Sequence, residues 1–400
     1  MAQTMSQGGN DDVVGTRRRQ KDADDVIGWE AVLTGIKDVA ARAGVSISTV
    51  SYALSGKRRI SPETRQKVLR AARELGYFHH AGTVVSSGRR TGFLAVSDPI
   101  HSTTTERNYA GFLMQMVKSA REHDYDAIVL TGSGDQAETR LNQVIDAGLV
   151  DGVILLDVEV GDDRVGLAAT SPVPYVAVGV PKDTVHLVCV DLDFEKACRA
   201  AVDRLARLGH RECIFFGSAP DEYRRRSNFV MRSLGSLQHY ARKHGMTLKG
   251  YAPPNEGMTH AGGAGQLVGF GQSGVPGGSG VWSMGVMISL LDKAFAAQPE
   301  ATAIIVQSDL MFLEALIGRL SSMGKRIPRD VSVLSLTTLG DADRLSVPID
   351  ELPLQPERTC ARAVDMMTGL LAGSGMPSGT VERMEIPYLD RGSVGPAGRA

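Results

Sequence analysis

The spacing of apolar residues changes character once along the chain. Over residues 36–76 the apolar positions are small and recur at helical spacing. This predicts three short helices. The first covers about 36–43 and stops at Gly44, a residue suited to the left-handed C′ position. Ser46 is placed to cap the second, over 47–54. Ser61-Pro62-Glu63 opens the third with a cap, a proline at the first helical position and an acid in the first turn. Val68, Leu69, Ala72 and Leu75 give that helix its apolar stripe, and Gly76 ends it.

From Gly92 onward, short β-type runs alternate with amphipathic stretches. The runs are FLAV (93–96), AIVL (127–130), GVILL (152–156), YVAV (175–178), LVCV (187–190), CIFF (213–216), AIIV (303–306) and VSVLSL (331–336). Helical stripes lie between them, over 112–123, 138–147, 194–208, 228–244 and 311–323. The alternation is the βαβ signature of a parallel sheet covered on both faces. About 300 residues exceed one such sheet, so two similar lobes are expected. Residues 1–34 lack periodicity and read as a disordered tail containing a basic run, Arg17 to Lys21. Residues 257–280 are glycine-rich and include a formal GxGxxG at Gly269, Gly271 and Gly274. No β run precedes these glycines and no helical stripe opens on them, so they read as a surface insertion rather than a nucleotide loop.

Charge sharpens this division. Residues 35–91 carry eleven Lys and Arg against three acids, a balance of +8, while the whole chain is −1. The remainder must therefore sum to −9. A compact basic module on an acidic body points to a polyanion partner for the module alone. Cys189, Cys198, Cys213 and Cys360 form no CxxC pair, and no Cys/His cluster has zinc spacing, so buried reduced thiols and no metal are expected. No signal peptide and no long apolar run is evident, which reads as a cytoplasmic chain without a membrane partner. Paired catalytic carboxylates, a nucleophile elbow and a P-loop are also missing, so neither an enzyme nor a cofactor is expected.

Helix, glycine turn and helix make a helix-turn-helix, whose second helix enters the major groove of duplex DNA. Ile36, Val39, Ala40, Val50 and Leu54 are expected to face inward with Val68 and Leu75. That leaves Ser48, Thr49, Ser51 and Tyr52 facing outward, where hydroxyls can meet base edges. Lys57, Arg58 and Arg59 follow where flanking phosphates would lie.

The stretch IKDVAARAGVSISTVSYALSGKRRISPETRQKVLRAARELGY resembles the DNA-binding headpiece of the LacI/GalR family. VDGVILL, VDLDFEKA, RLARLGHREC, IPRDVSVLSL, LPLQP and YLDRGSVGP extend the resemblance over about 35–395. It implies a helix-turn-helix headpiece on a periplasmic-binding-protein-like α/β core of two doubly wound parallel-sheet lobes. The implied divisions are a tail at 1–34, the headpiece at 35–80 and a hinge at 81–91. The first lobe would comprise 92–190 and 355–375, the second 191–354 and 376–395. The implied function is a transcriptional regulator of the repressor type. It would bind a pseudo-palindromic DNA operator as a homodimer and respond to a small-molecule effector, carbohydrate-like in some relatives. A solute-binding module with a degenerate headpiece is the alternative.

Residue by residue, the resemblance assigns Ser46, Ile47, Ser48, Thr49, Ser51 and Tyr52 to DNA recognition. Ser55, Arg59, Ser61, Thr64 and Tyr77 accompany them near the backbone. Tyr52 stands where an arginine is usual, so a bidentate guanine contact is lost and methyl contacts from Ile47 are expected. In the hinge, Thr83, Val84, Val85 and Ser86 occupy the minor-groove region, with Ser86 where a wedging leucine is usual. For the effector, the resemblance assigns Asn228, Arg232, Ser308 and Asp309. Gly179-Val180 and Thr337 stand where polar contacts are usual, which implies a different or less polar effector, or none.

Overall fold

A computed structural model describes residues 36–55, 60–74, 90–101, 103–252 and 284–398. The chain divides into two compact units, the first ending at His79 and the second beginning at His80. Arg59, Leu75, Tyr77, Thr83, Val84, Val85, Ser86, the tail and the glycine-rich insertion lie outside the described residues, as do the side chains of Leu54 and Ser55.

The first unit holds helices α1 (Ile36–Ala43), α2 (Ile47–Ser55) and α3 (Pro62–Glu74). Gly44 takes φ +65° between α1 and α2, and Val45 N–H closes back on Ala40 O at 3.0 Å. Ser46 Oγ accepts from Thr49 N–H and Ser61 Oγ from Thr64 N–H, each at 3.2 Å, so both serines cap their helices. Val39, Ala40, Val50, Ala53, Val68, Ala71 and Ala72 form the core. Four of these seven are alanines, which lets three short helices approach closely. Ile36 packs at the edge of this core and is only half-buried.

The second unit contains two parallel sheets. The elements of the first lobe are β1 (Phe93–Ser97), α4 (Glu106–Glu122), β2 (Asp126–Leu130), α5 (Asp135–Asp146), β3 (Gly152–Leu155), α6 (Arg164–Leu167), β4 (Tyr175–Val178) and β5 (Val188–Leu192). The chain then enters the second lobe with α7 (Phe194–Arg207), β6 (Glu212–Phe216), α8 (Pro220–Arg224), α9 (Asn228–Lys243) and β7 (Thr247–Tyr251). It continues there with α10 (Met284–Ala297), β8 (Ala303–Gln307), α11 (Leu310–Ser322), β9 (Ser332–Leu336) and β10 (Asp350–Leu352). Helix α12 (Pro356–Leu371) and strand β11 (Val381–Met384) return to the first lobe. The strand orders are β11-β5-β4-β3-β1-β2 and β10-β9-β8-β6-β7.

Side-chain alternation explains the layering. Leu94 and Val96 of β1 face α4 and α12, whereas Ala95 faces α5. In the second lobe Cys213 and Phe215 face α7 and α9, and Ile214 and Phe216 face α10 and α11.

One expected boundary is corrected by the strand pairing. Residues 376–395 were expected wholly in the second lobe, but Val381–Met384 pairs with β5, Val381 opposite Cys189 and Met384 opposite Leu192. Only beyond it does the chain reach the second lobe, where Leu389 bridges Glu351. Strand β5 likewise runs past residue 190, the expected limit of the first lobe. The backbone thus crosses between lobes after β5, after β10 and after β11.

Candidate functional site

On α2, Ile47 and Ser48 are exposed, while Thr49, Ser51 and Tyr52 are half-buried. Ser46 is exposed but its hydroxyl is engaged within the helix start, 2.9 Å from Ser48 Oγ and 2.8 Å from Thr49 Oγ1. Ser61 and Thr64 form the same arrangement at the start of α3, with hydroxyls 2.8 Å apart. The exposed Ile47, 45% accessible, gives this helix an apolar tip suited to a thymine methyl.

In the core, side chains converge where strand C-termini of the two lobes face each other, the usual ligand position of open α/β sheets. Asp98 follows β1, Asp157 lies just beyond β3, and Glu222 and Arg225 lie on and after the short α8 that follows β6. Arg225 reaches across the cleft. Its Nη2 lies 2.9 Å from Asp157 Oδ2 and 2.6 Å from Glu222 Oε2, and its Nη1 is 3.5 Å from Glu159 Oε1. Thr103 Oγ1 donates to Glu222 Oε1 at 2.5 Å. Backbone bonds reinforce the join: Asn228 N–H donates to Val158 O and Val160 N–H to Arg226 O, both at 3.0 Å. His101 Nε2 is 3.5 Å from Asp157 Oδ2.

The first-lobe side of this cleft is fixed by Arg164, which is 4% exposed. Its guanidinium binds Asp162 at 2.9 and 2.7 Å, then Ser97 O and Leu156 O at 3.0 Å each. One side chain therefore ties the ends of β1 and β3 together. Backbone strain concentrates at the same level: Asp157, Arg226 and Thr337 have φ of 47°, 57° and 65°. For a β-branched threonine this is a costly conformation. Asn108 of α4 donates to the Thr337 carbonyl at 3.3 Å, another bond between lobes.

Burial sets the electrostatics. The Asp98 carboxyl is pushed up to about 8 by burial and then by the charge of Asp157, against the pull of Arg164. Burial also raises Glu222 and Glu159. His101 is lowered by burial and by Arg225, which favours its neutral form.

The four residues assigned to the effector divide into two groups. Asn228 and Arg232 meet on α9, Arg232 Nη1 donating to Asn228 Oδ1 at 3.4 Å. The Arg232 guanidinium is otherwise spent on carboxylates: Nη1 pairs with buried Asp191, and Nε and Nη2 hold Glu195 at 2.8 and 2.6 Å. The Asn228 amide donates to the Val180 carbonyl. Asp309 caps α11, accepting from Phe312 N–H at 2.9 Å, and Ser308 beside it is half-buried. Asp309→Ala should therefore cost about 1 kcal/mol of core stability in a urea titration. A loss near zero would remove the capping role.

Sequence reasoning missed Asp98, His101, Asp157, Glu222 and Arg225. A signal was present for two of them, because Asp157 stands directly after an apolar β run and Asp98 one residue beyond another. Arg225 sits in a run of three arginines and has no such signal.

Comparison with known proteins agrees with both units. Residues 35–79 match the family model for bacterial regulatory proteins, lacI family, and 202–394 match the periplasmic binding protein-like domain. The HTH-type transcriptional regulator CelR of Thermobifida fusca is 30% identical over 343 residues, covering 83% of this chain and 91% of that protein. The chain belongs to the LacI family. It is a helix-turn-helix transcriptional regulator. Catabolite control protein A of Priestia megaterium is 26% identical, with 78% of this chain and 83% of that protein covered. The fold of this LacI-family chain is also that of solved structures. A CelR–cellobiose complex aligns with TM-score 0.57 at 22% identity, covering 90% of this chain and 99% of that one. A lac repressor dimer bound to operator and the anti-inducer ONPF aligns with TM-score 0.60 at 18% identity, covering 90% of this chain and 98% of that one.

Proposed function

We propose that this LacI-family regulator is a cytoplasmic repressor. It binds a pseudo-palindromic operator as a homodimer and releases or tightens its grip when a small molecule occupies the inter-lobe cleft. The observation that carries the reading is a capped, alanine-packed headpiece joined in one chain to a two-lobed core whose strand ends converge on buried charges. Met114 and Val117, three residues apart on α4, are 66% and 41% exposed, an apolar strip that supports self-association. Arg225, with Asn228 beside the same crossing, is the arginine placed to sense an occupant of the cleft. Any ligand that parts the lobes must break its bonds to Asp157 and Glu159.

The test is selection of bound duplexes from a random pool, followed by binding titrations on the selected site. Two-fold symmetric sites are expected, with affinity falling steeply as salt rises. Tyr52→Ala should lose about 1–3 kcal/mol of discrimination between the selected site and a scrambled one while retaining nonspecific binding. If the variant keeps its full site preference, α2 is not the reading helix.

A further inference from the structure

We propose that the cleft selects a small hydroxylated amine, whose ammonium group pairs with the Asp98 carboxylate. This rests on the cleft being an effector site, as proposed above. The contacts define a cluster of five carboxylates, Asp98, Asp157, Glu159, Asp162 and Glu222, against two guanidiniums, Arg164 and Arg225. Arg164 is spent on Asp162 and on carbonyls. Arg225 is shared among Asp157, Glu159 and Glu222. Asp98 receives neither. It is 4% exposed, and among the described residues its carboxylate has no hydrogen bond and no ion pair. The charges and titratable groups that act on it or feel it are Asp157, Arg164, Tyr109 and Cys360.

A buried carboxyl without a donor is costly, and the cost is relieved most by a cation at hydrogen-bond distance. An anionic ligand would meet five carboxyl groups balanced by only two guanidiniums. A purely apolar one would leave the acid and several neutral groups unsatisfied. Those neutral groups are buried polar atoms without partners, Ser227 Oγ at the crossing and the Gln307 amide at the end of β8, and the Nε–H of the Arg225 cation also lacks an acceptor. Ser227 is fully buried and Gln307 is 1% exposed. Hydroxyl groups on the ligand offer both the donors and the acceptors these atoms lack. An amino sugar combines the two requirements.

The test is calorimetric titration of the full chain at pH 7 with glucosamine, N-acetylglucosamine and glucose. Glucosamine should bind at least about tenfold tighter than either neutral sugar, one charge-assisted hydrogen bond more than they can make. Its ammonium should ionise an acid that is protonated in the free protein. Binding should then release close to one proton, read as a dependence of the heat on buffer ionisation enthalpy. Asp98→Asn and Asp98→Ser, each with a wild-type circular dichroism spectrum, should lose both the preference and the proton release. If glucose or N-acetylglucosamine binds as tightly and Arg225→Ala abolishes it, the amine inference falls and the effector cleft stands. If glucosamine binds but neither Asp98→Asn nor Arg225→Ala weakens it, both fall. If none of the three binds at millimolar concentration, the amine inference falls.

Discussion

Replacing Arg164 with alanine should remove about 3–5 kcal/mol of core stability, measured as a shift in the urea midpoint followed by circular dichroism. The size follows from what the side chain leaves behind. Asp162, 4% exposed at its side chain, would keep a buried charge with no counter-charge in contact. The carbonyls of Ser97 and Leu156 would each lose a donor inside the protein. The pair by itself need not stabilise the fold, because desolvating two ions offsets much of their attraction. Arg164→Met combined with Asp162→Leu should therefore recover a substantial part of the loss. A single-mutant loss below about 1 kcal/mol would mean that water reaches this site and satisfies what the arginine leaves.

Asp98→Asn should act in the opposite direction, and only above mildly acidic pH. The carboxyl is raised from 3.8 to about 8 in the folded chain. Between these values the folded state holds a proton that the unfolded state has released. Stability therefore falls as pH climbs from about 4 to about 8, and the loss is complete above that. Below about pH 4 both states hold the proton and the variant gains nothing. Thermal melts should place Asp98→Asn about 5 °C above the unaltered protein at pH 8.5 and level with it at pH 4. An equal difference at both values would assign the effect to packing instead of ionisation.

Much of the fold is legible in the sequence because its central strands are buried on both faces. Runs such as FLAV and AIIV, made only of apolar residues, cannot be satisfied elsewhere. The strands that escape notice have polar sequences for identifiable reasons. TLKGY of β7 and VERM of β11 lie at sheet edges, where side chains remain partly exposed. DEL of β10 is fully buried despite its acids, because Asp350 accepts from Tyr388 and Ser393 and Glu351 from Thr338 and Arg391. Such pairing between residues 13 to 43 positions apart leaves no local pattern. Helix α12 carries an apolar stripe of its own, yet its role in covering the first sheet depends on topology.

The binding sites show the same division. The caps at Ser46 and Ser61 are local, three residues from their partners, and a sequence states them outright. The cleft is assembled from residues separated by more than a hundred positions, as Thr103 is from Glu222. Arg232, which the family resemblance assigns to the effector, has its guanidinium on Asp191 and Glu195. Gly179, Val180 and Thr337, which imply a different or less polar effector or none, stand in a cleft that also holds carboxylates supplied by other segments.

The pairing of β11 with β5 bears on how this protein emerges from the ribosome. The sheet that opens at Phe93 is not closed until Met384 has been synthesised, almost 300 residues later. Until then β5 presents a bare edge while the other sheet is being made. In a nascent chain of this design the first lobe therefore completes its sheet only near the end of translation, after the strands of the second sheet have all been made.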